Sequence, residues 1–390
     1  MLKLFRYLKP YAVAVAVILV FVFAQSLAEL YLPTLMADIV DKGIVKGDTD
    51  YIWRIGRWML LITASGTAVA MVHMYLSAKV ATGFGRDLRR KVFSRVESFS
   101  LHEFDKIGTA TLITRTTNDI TQVQQVMVMI LRMVVMAPMM AIGGIVMAVS
   151  KDATLSWLIV VVIPVMGVTI GILAARGIPL FKAMQVKLDK LNLVVREGLT
   201  GIRVIRAFNR TDHEQKRFCE ANSDLTDTAV KVNRLMAFLM PVIGLLMNFT
   251  TIAIIWFGGV RIDEGQMQVG NLMAFIQYIM QIMFAFIMVS MMFIMIPRAA
   301  ASAVRINEVL ETVPEITDPP QPKRPTMQRG YVEFRDVTFR YPGAEEPAIA
   351  NISFTAAPGE LTAIVGGTGS GKSTLVSLMP RFYDVDSGAI

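Results

Sequence analysis

Cysteine is nearly absent. Cys219 stands alone in 390 residues, so no disulfide within the chain can staple the fold. It lies in the charged stretch "DHEQKRFCEAN", which has a cytoplasmic texture, and is assigned no role. With only three histidines beside it, the chain is too poor in soft ligands for a dedicated metal cage within one subunit. A small-residue cleavage site is missing from the start, "MLKLFRYLKPYAVAVAVILVFVF". This basic front and apolar run therefore reads as a retained first helix and not as a leader. What is abundant is apolar surface: 54% hydrophobic residues and a mean hydropathy of +0.52 are too apolar for a soluble protein.

Six runs meet the roughly 20 residues needed to cross about 30 Å of hydrocarbon. They lie near Tyr11 to Leu32, Trp58 to Ala78, Leu131 to Val149, Leu155 to Ala175, Phe238 to Val260 and Leu272 to Ile296. The loops after the first, third and fifth are short and hold few basic residues. Those after the second and fourth are long and basic, with Arg86, Arg89, Arg90, Lys91 and Arg95 in one and Arg196, Arg203, Arg206 and Arg210 in the other. The positive-inside rule places the long loops and both termini in the cytoplasm. That accounts for the formal charge of +8 without nucleic acid. Apolar residues recur at helical spacing through "RDLRRKVFSRVESFSLHEF" and "KAMQVKLDKLNLVVREGL", so the membrane helices are expected to run on as stalks. Each stalk reaches a break, "FDKIGTATLITRTTND" or "LTGIRVIRAFNRTDH", before the chain turns back.

After the sixth run an amphipathic helix, "PRAAASAVRINEVLETVPEI", leads into a proline-rich linker, "TDPPQPKRPTMQRG". From Tyr331 the pattern changes to short strands: Val332 and Phe334, then Val337, Phe339 and Tyr341, then Ile352 and Phe354, with "LTAIV" as a buried strand. The expected domains are a transmembrane domain over 1–310, a linker over 311–330 and the N-terminal part of an α/β domain over 331–390.

Gly366, four residues, Gly371, Lys372 and Ser373 match the phosphate-binding loop pattern, with an apolar strand expected before it and a helix after it. Glycines let backbone N–H groups close around phosphates, Lys372 reaches the outer phosphates, and the Ser373 hydroxyl binds Mg²⁺.

Here the chain resembles the ATP-binding cassette exporters, in which six membrane helices precede a nucleotide-binding domain. The resemblance implies an all-α polytopic membrane domain of six transmembrane helices with long cytoplasmic extensions, followed by the N-terminal part of a P-loop α/β domain. In "FRYPG", Tyr341 resembles the aromatic that stacks on adenine. "GGTGSGKST" fits the family's loop, implying ATP contacts from Gly366, Thr368, Gly369, Ser370, Gly371, Lys372, Ser373 and Thr374, with Ser373 on the metal. The stretches near Phe104 to Ala110 and Gly201 to Phe208 resemble the two coupling turns that dock on nucleotide-binding domains. The membrane half looks closest to bacterial multidrug-type exporters, which implies an inner-membrane half-transporter pairing with a second subunit, identical or different. ATP bound between paired cassettes would switch a cavity open to a small amphipathic drug or lipid. The family's Q-loop, signature, Walker B and switch motifs lie further on than the 18 residues that follow Lys372. The chain alone is therefore expected to hold ATP without hydrolysing it, and no catalytic residue is assigned.

Within the spans, Gln25 and Glu29, and Gln277 and Gln281, are spaced to share a face and are candidates for a substrate path. Met129, Met133, Met136, Met140 and Met147, with Met288, Met291 and Met295, suit either an adaptable cavity or plain packing. Two alternatives stand beside the exporter: a transport-inactive fragment that pairs with or modulates a full-length partner, and a membrane-tethered nucleotide sensor.

Overall fold

The computed structural model describes residues 1–317 and 330–390, so most of the expected linker lies outside the described residues. Among these residues the first eight helices, in chain order, are α1 (Lys3–Ile44), α2 (Thr49–Glu97), α3 (Leu101–Ile107), α4 (Thr109–Lys151), α5 (Trp157–Thr200), α6 (Ile202–Ala207), α7 (Thr211–Asp263) and α8 (Val269–Glu311). The six long ones are each long and apolar enough to cross a membrane, and each holds one expected span, except that the fourth starts two residues before α5, in the turn at Leu155 and Ser156. The stalks are there too: α2 continues from Ala78 to Glu97, roughly 28 Å at 1.5 Å per residue. α8 continues through Pro297, which lies inside the helix.

The chain divides into two compact units. One comprises Val17–Tyr75 and Leu131–Phe293. Its core joins Leu30 of α1, Met140 and Ala148 of α4, Met166 of α5, Ile254 of α7 and Phe275 and Tyr278 of α8. Lipid is as apolar as leucine, so close packing and internal hydrogen bonds must hold such helices together. The buried Tyr278 hydroxyl lies 2.7 Å from Thr34 Oγ1 and donates to Leu30 O at 3.0 Å. The Gly270 N–H donates to Asp41 at 2.7 Å, an approach that a side chain at 270 would block. Asp152 accepts from Leu155 N at 2.7 Å and from Arg261 at 2.8 Å, tying α7 to the α4–α5 turn. Met136, Met140 and Met147 belong to or pack against the core, while Met291 and Met295 are exposed; for the first three, packing is the observed role.

The other unit comprises Met1–Ala16, Leu76–Ile130 and Ile294–Ile390. Phe84, Leu88 and Val92 of α2, Ile120 and Val123 of α4, and Ala299, Ala303 and Ile306 of α8 are fully buried. Polar ties reinforce it. Arg305 grips Asp119, with Nε to Oδ2 at 2.8 Å; Arg115 meets Glu308 at 3.0 Å; and Glu103 accepts from Glu315 N at 3.0 Å. The first elbow helix, α3, lies three residues earlier than the expected Phe104 to Ala110. The reason is local: Ser100 and Glu103 form a capping box that starts it, and Gly108 at φ 81° ends it.

The same unit holds a three-stranded sheet in which β1 (Val332–Phe339) pairs antiparallel with both β2 (Ile349–Ala356) and β3 (Ser387–Ala389). Phe334 faces Phe354 and Val337 faces Ile352, with an irregularity between these pairs where Asp336 takes φ 50°. Phe334, Val337, Phe339 and Ile349 pack with Leu375 and Leu378 of α9 (Lys372–Leu378). The expected strand "LTAIV" is not a strand, and Leu361 and Val365 are 98% and 92% exposed. A continuously apolar strand needs neighbours on both sides. None of the three described strands lies beside this run, so its backbone has no ladder to join.

Candidate functional site

The β1–β2 pairing positions the loop that precedes α9. Gly371 caps that helix at φ 85°, backed so closely by Ile349 Cγ2 and Ala348 O that a Cβ would come within 2.7 and 2.8 Å of them. Gly369 also has positive φ, which a side chain would strain. A Cβ on Gly366 would approach Ser370 Oγ at 2.6 Å. Lys372 folds over the loop, its Nζ donating to Gly366 O at 2.8 Å and Gly367 O at 2.6 Å, with Ser370 Oγ at 3.4 Å. The structure thus brings Gly366, Thr368, Gly369, Ser370, Gly371, Lys372 and Ser373 into one loop, with an ammonium over it and the Ser373 side exposed. Glycines without Cβ bulk, an ammonium over the loop and an exposed hydroxyl are a donor set that fits a polyphosphate with its magnesium.

Thr374 is turned the other way. It is buried, and its hydroxyl lies 3.0 Å from that of Tyr341. Tyr341 stands edge-on to Phe339 and Tyr383, with ring centres 5.0 and 5.5 Å away. A cavity of about 260 Å³ opens beside it, bordered by His102, Glu315, Arg340 and Tyr383. Tyr383 had no expected role. Its hydroxyl donates to Asp105 of α3 at 3.3 Å, so it joins the aromatic cluster to the first elbow. Burial, and then the Asp105 charge, push its phenol above the usual value. The Arg381 hydrogen bond at 2.7 Å holds the neighbouring Asp384 below the usual carboxylate range.

A second constellation lies within the spans. Gln25 donates to Glu29 at 2.7 Å, and its other amide atom lies 2.6 Å from His73 Nε2. Gln281 donates to Glu29 O at 3.2 Å, while Gln277 is exposed. A cavity of about 180 Å³ is bordered by Gln25, Glu29, Thr63 and Thr67. His73 escaped the sequence reading, although an ionisable residue inside a span is itself a signal.

The chain matches the family model for the ABC transporter transmembrane region over residues 15–297 and that for the ABC transporter over residues 349–390. It is 44% identical over 386 residues to an uncharacterised ABC transporter ATP-binding protein of Mycobacterium tuberculosis, covering 99% of this chain and 66% of the relative. A counterpart in Bacillus subtilis is 38% identical over 390 residues, covering 100% and 68%. A fatty acid ABC transporter ATP-binding/permease protein of Mycobacterium bovis is 32% identical over 304 residues, covering 78% and 48%. The chain spans about two thirds of the length of the first two relatives. Six membrane-length helices, a glycine loop gripped by its own lysine and these matches agree: the chain belongs to the ATP-binding cassette transporters, as a half-transporter of the exporter type whose family hydrolyses ATP.

Proposed function

We propose that this chain is a subunit of an exporter driven by ATP that moves small amphipathic compounds, drug-like or lipid-like, across the inner membrane with both termini in the cytoplasm. The observation that carries the ATP reading is Lys372, whose ammonium sits over the glycine loop within reach of any phosphate the loop accepts. Tyr341 would take the adenine, with Gly366, Thr368, Gly369, Ser370, Gly371, Ser373 and Thr374 forming or bracing the phosphate cradle. Bound magnesium would neutralise phosphate charge next to Ser373. The likeness to a fatty acid transporter supports an amphipathic cargo. The Gln25–Glu29–His73 set supports a polar patch on its path, because ionisable groups within a bilayer mark such routes. A second subunit, identical or different, is required, since the family shares each ATP between two subunits. The test is equilibrium binding of a fluorescent ATP analogue with Mg²⁺. Binding should be saturable in the purified chain and at least about tenfold weaker in Lys372→Ala, since a charged contact contributes roughly 1.5–3 kcal/mol; equal binding by the variant refutes the site.

A further inference from the structure

The basic run Arg86–Lys91 accounts for orientation, but the fold gathers part of it into a cavity. Arg6 of the N-terminal turn and Arg90, Lys91 and Arg95 of α2 border a space of about 610 Å³, together with Ser94 and Ser98. Two of these cations share one ring: Lys91 Nζ lies 4.4 Å and the Arg6 guanidinium 4.9 Å from the Tyr7 ring centre. The ring attracts each of them, but they repel one another. Of the nearby acids, Asp87 meets Arg86 at 3.0 Å and offsets the lining Arg90 only at 3.6 Å, and Glu311 holds Lys3 at 2.7 Å. Arg95 Nε donates to Leu310 O at 3.3 Å, leaving its other nitrogens for a ligand. Among the described residues no carboxylate borders the cavity. Tyr7 stands one turn before the first apolar run, and the Tyr11 hydroxyl donates to Asp87 at 2.8 Å, so the cavity adjoins the start of the first apolar run.

We propose that this cavity binds a phosphate group, of the kind that an anionic lipid headgroup or a free phosphate compound presents. Converging like charges make a field that an anion relieves. Guanidinium groups and an ammonium are the donors that suit phosphate, and the Ser94 hydroxyl adds a neutral one, while that of Ser98 already donates to Arg95 O at 2.6 Å. The site is separate from the glycine loop and does not depend on the ATP reading.

The test uses the full chain in a neutral detergent, titrated with phosphatidylglycerol, phosphatidylcholine or inorganic phosphate. Retained lipid is counted by native mass spectrometry, and phosphate is followed by protection of Lys91 from acylation. Retention of phosphatidylglycerol over phosphatidylcholine identifies a lipid headgroup; protection by inorganic phosphate alone identifies a free compound; either supports the site. The double variant Arg6→Gln/Lys91→Gln should lose the anion by roughly tenfold or more, as expected for two charges at a membrane surface. Arg6→Lys/Lys91→Arg should retain it, which separates lost charge from lost folding. Lys182→Gln/Lys216→Gln removes equal charge elsewhere and should leave binding unchanged. Equal loss in that control, or no preference for phosphatidylglycerol together with no protection by phosphate, overturns the proposal.

Discussion

Arg305 and Asp119 form an ion pair whose two halves differ sharply in surroundings, and that difference sets how each substitution should behave. The Asp119 side chain is 4% exposed and that of Arg305 is 44%. Removing the arginine strands a carboxylate in the interior, and a buried pair broken in this way costs about 3–5 kcal/mol. Removing the aspartate strands a guanidinium that already reaches water and keeps Ser302 Oγ at 3.1 Å. Its loss is that of a two-point contact to a half-exposed cation, about 1.5 kcal/mol after solvent screening. Arg305→Met should therefore destabilise the contact by roughly 1.5 kcal/mol more than Asp119→Asn, about a tenfold difference in local opening. Asp119→Leu/Arg305→Met, which removes both charges, should recover most of the loss. Amide hydrogen exchange over residues 299–311 and 115–130 of the purified chain reads this opening directly. If Asp119→Asn opens the contact as much as Arg305→Met, or if the double variant is the worst of the three, the reasoning about burial is wrong.

Gly270→Ala would drive a Cβ into Ala37 O and the Asp41 carboxylate, whereas at Gly143 the added Cβ meets the end of the Leu30 side chain, which can move aside. Overpacking against backbone should cost Gly270→Ala about 1–3 kcal/mol and Gly143→Ala much less, seen as a lower thermal inactivation temperature for the first alone. For Glu103, burial raises its pKa, but hydrogen bonds from Ser100 and the Glu315 N–H outweigh it and hold the group below its usual value. Its stabilisation of α3 is thus complete above the unfolded value of about 4.3 and lost as pH falls through the lower folded one. Proteolysis at residues 101–107 should rise only in strong acid, and Glu103→Gln should abolish that dependence. Tyr341→Ala should weaken binding of an ATP analogue by about tenfold, in line with 1–3 kcal/mol for base stacking. Tyr341→Phe, which loses only the Thr374 contact, should bind within about threefold; a larger loss would shift the role from the ring to its hydroxyl.

Reading the chain works best where one local rule governs. Span length is imposed by the bilayer, so the six helices were legible as runs of apolar residues. The glycine loop was legible because its backbone geometry demands glycine at Gly369 and Gly371. The failures have particular causes. "LTAIV" has the composition of a strand, but a strand is a relation to neighbours, and that run has none here. The first elbow was placed too late because its start depends on a reciprocal bond between Ser100 and Glu103. Gln277 and Gln281 look equivalent four residues apart, yet only Gln281 meets Glu29.

Composition, span length and loop glycines by themselves determined that this protein carries six membrane-length helices and a glycine loop of the phosphate-binding pattern, because each follows from a few consecutive residues and the solvent around them. Tertiary structure alone decided which residues act together. His73 joins Gln25, Tyr383 reaches Asp105, and Arg6 meets Lys91 over Tyr7. These partners are separated by tens to hundreds of residues, and such pairs meet only when helix packing has fixed which faces adjoin.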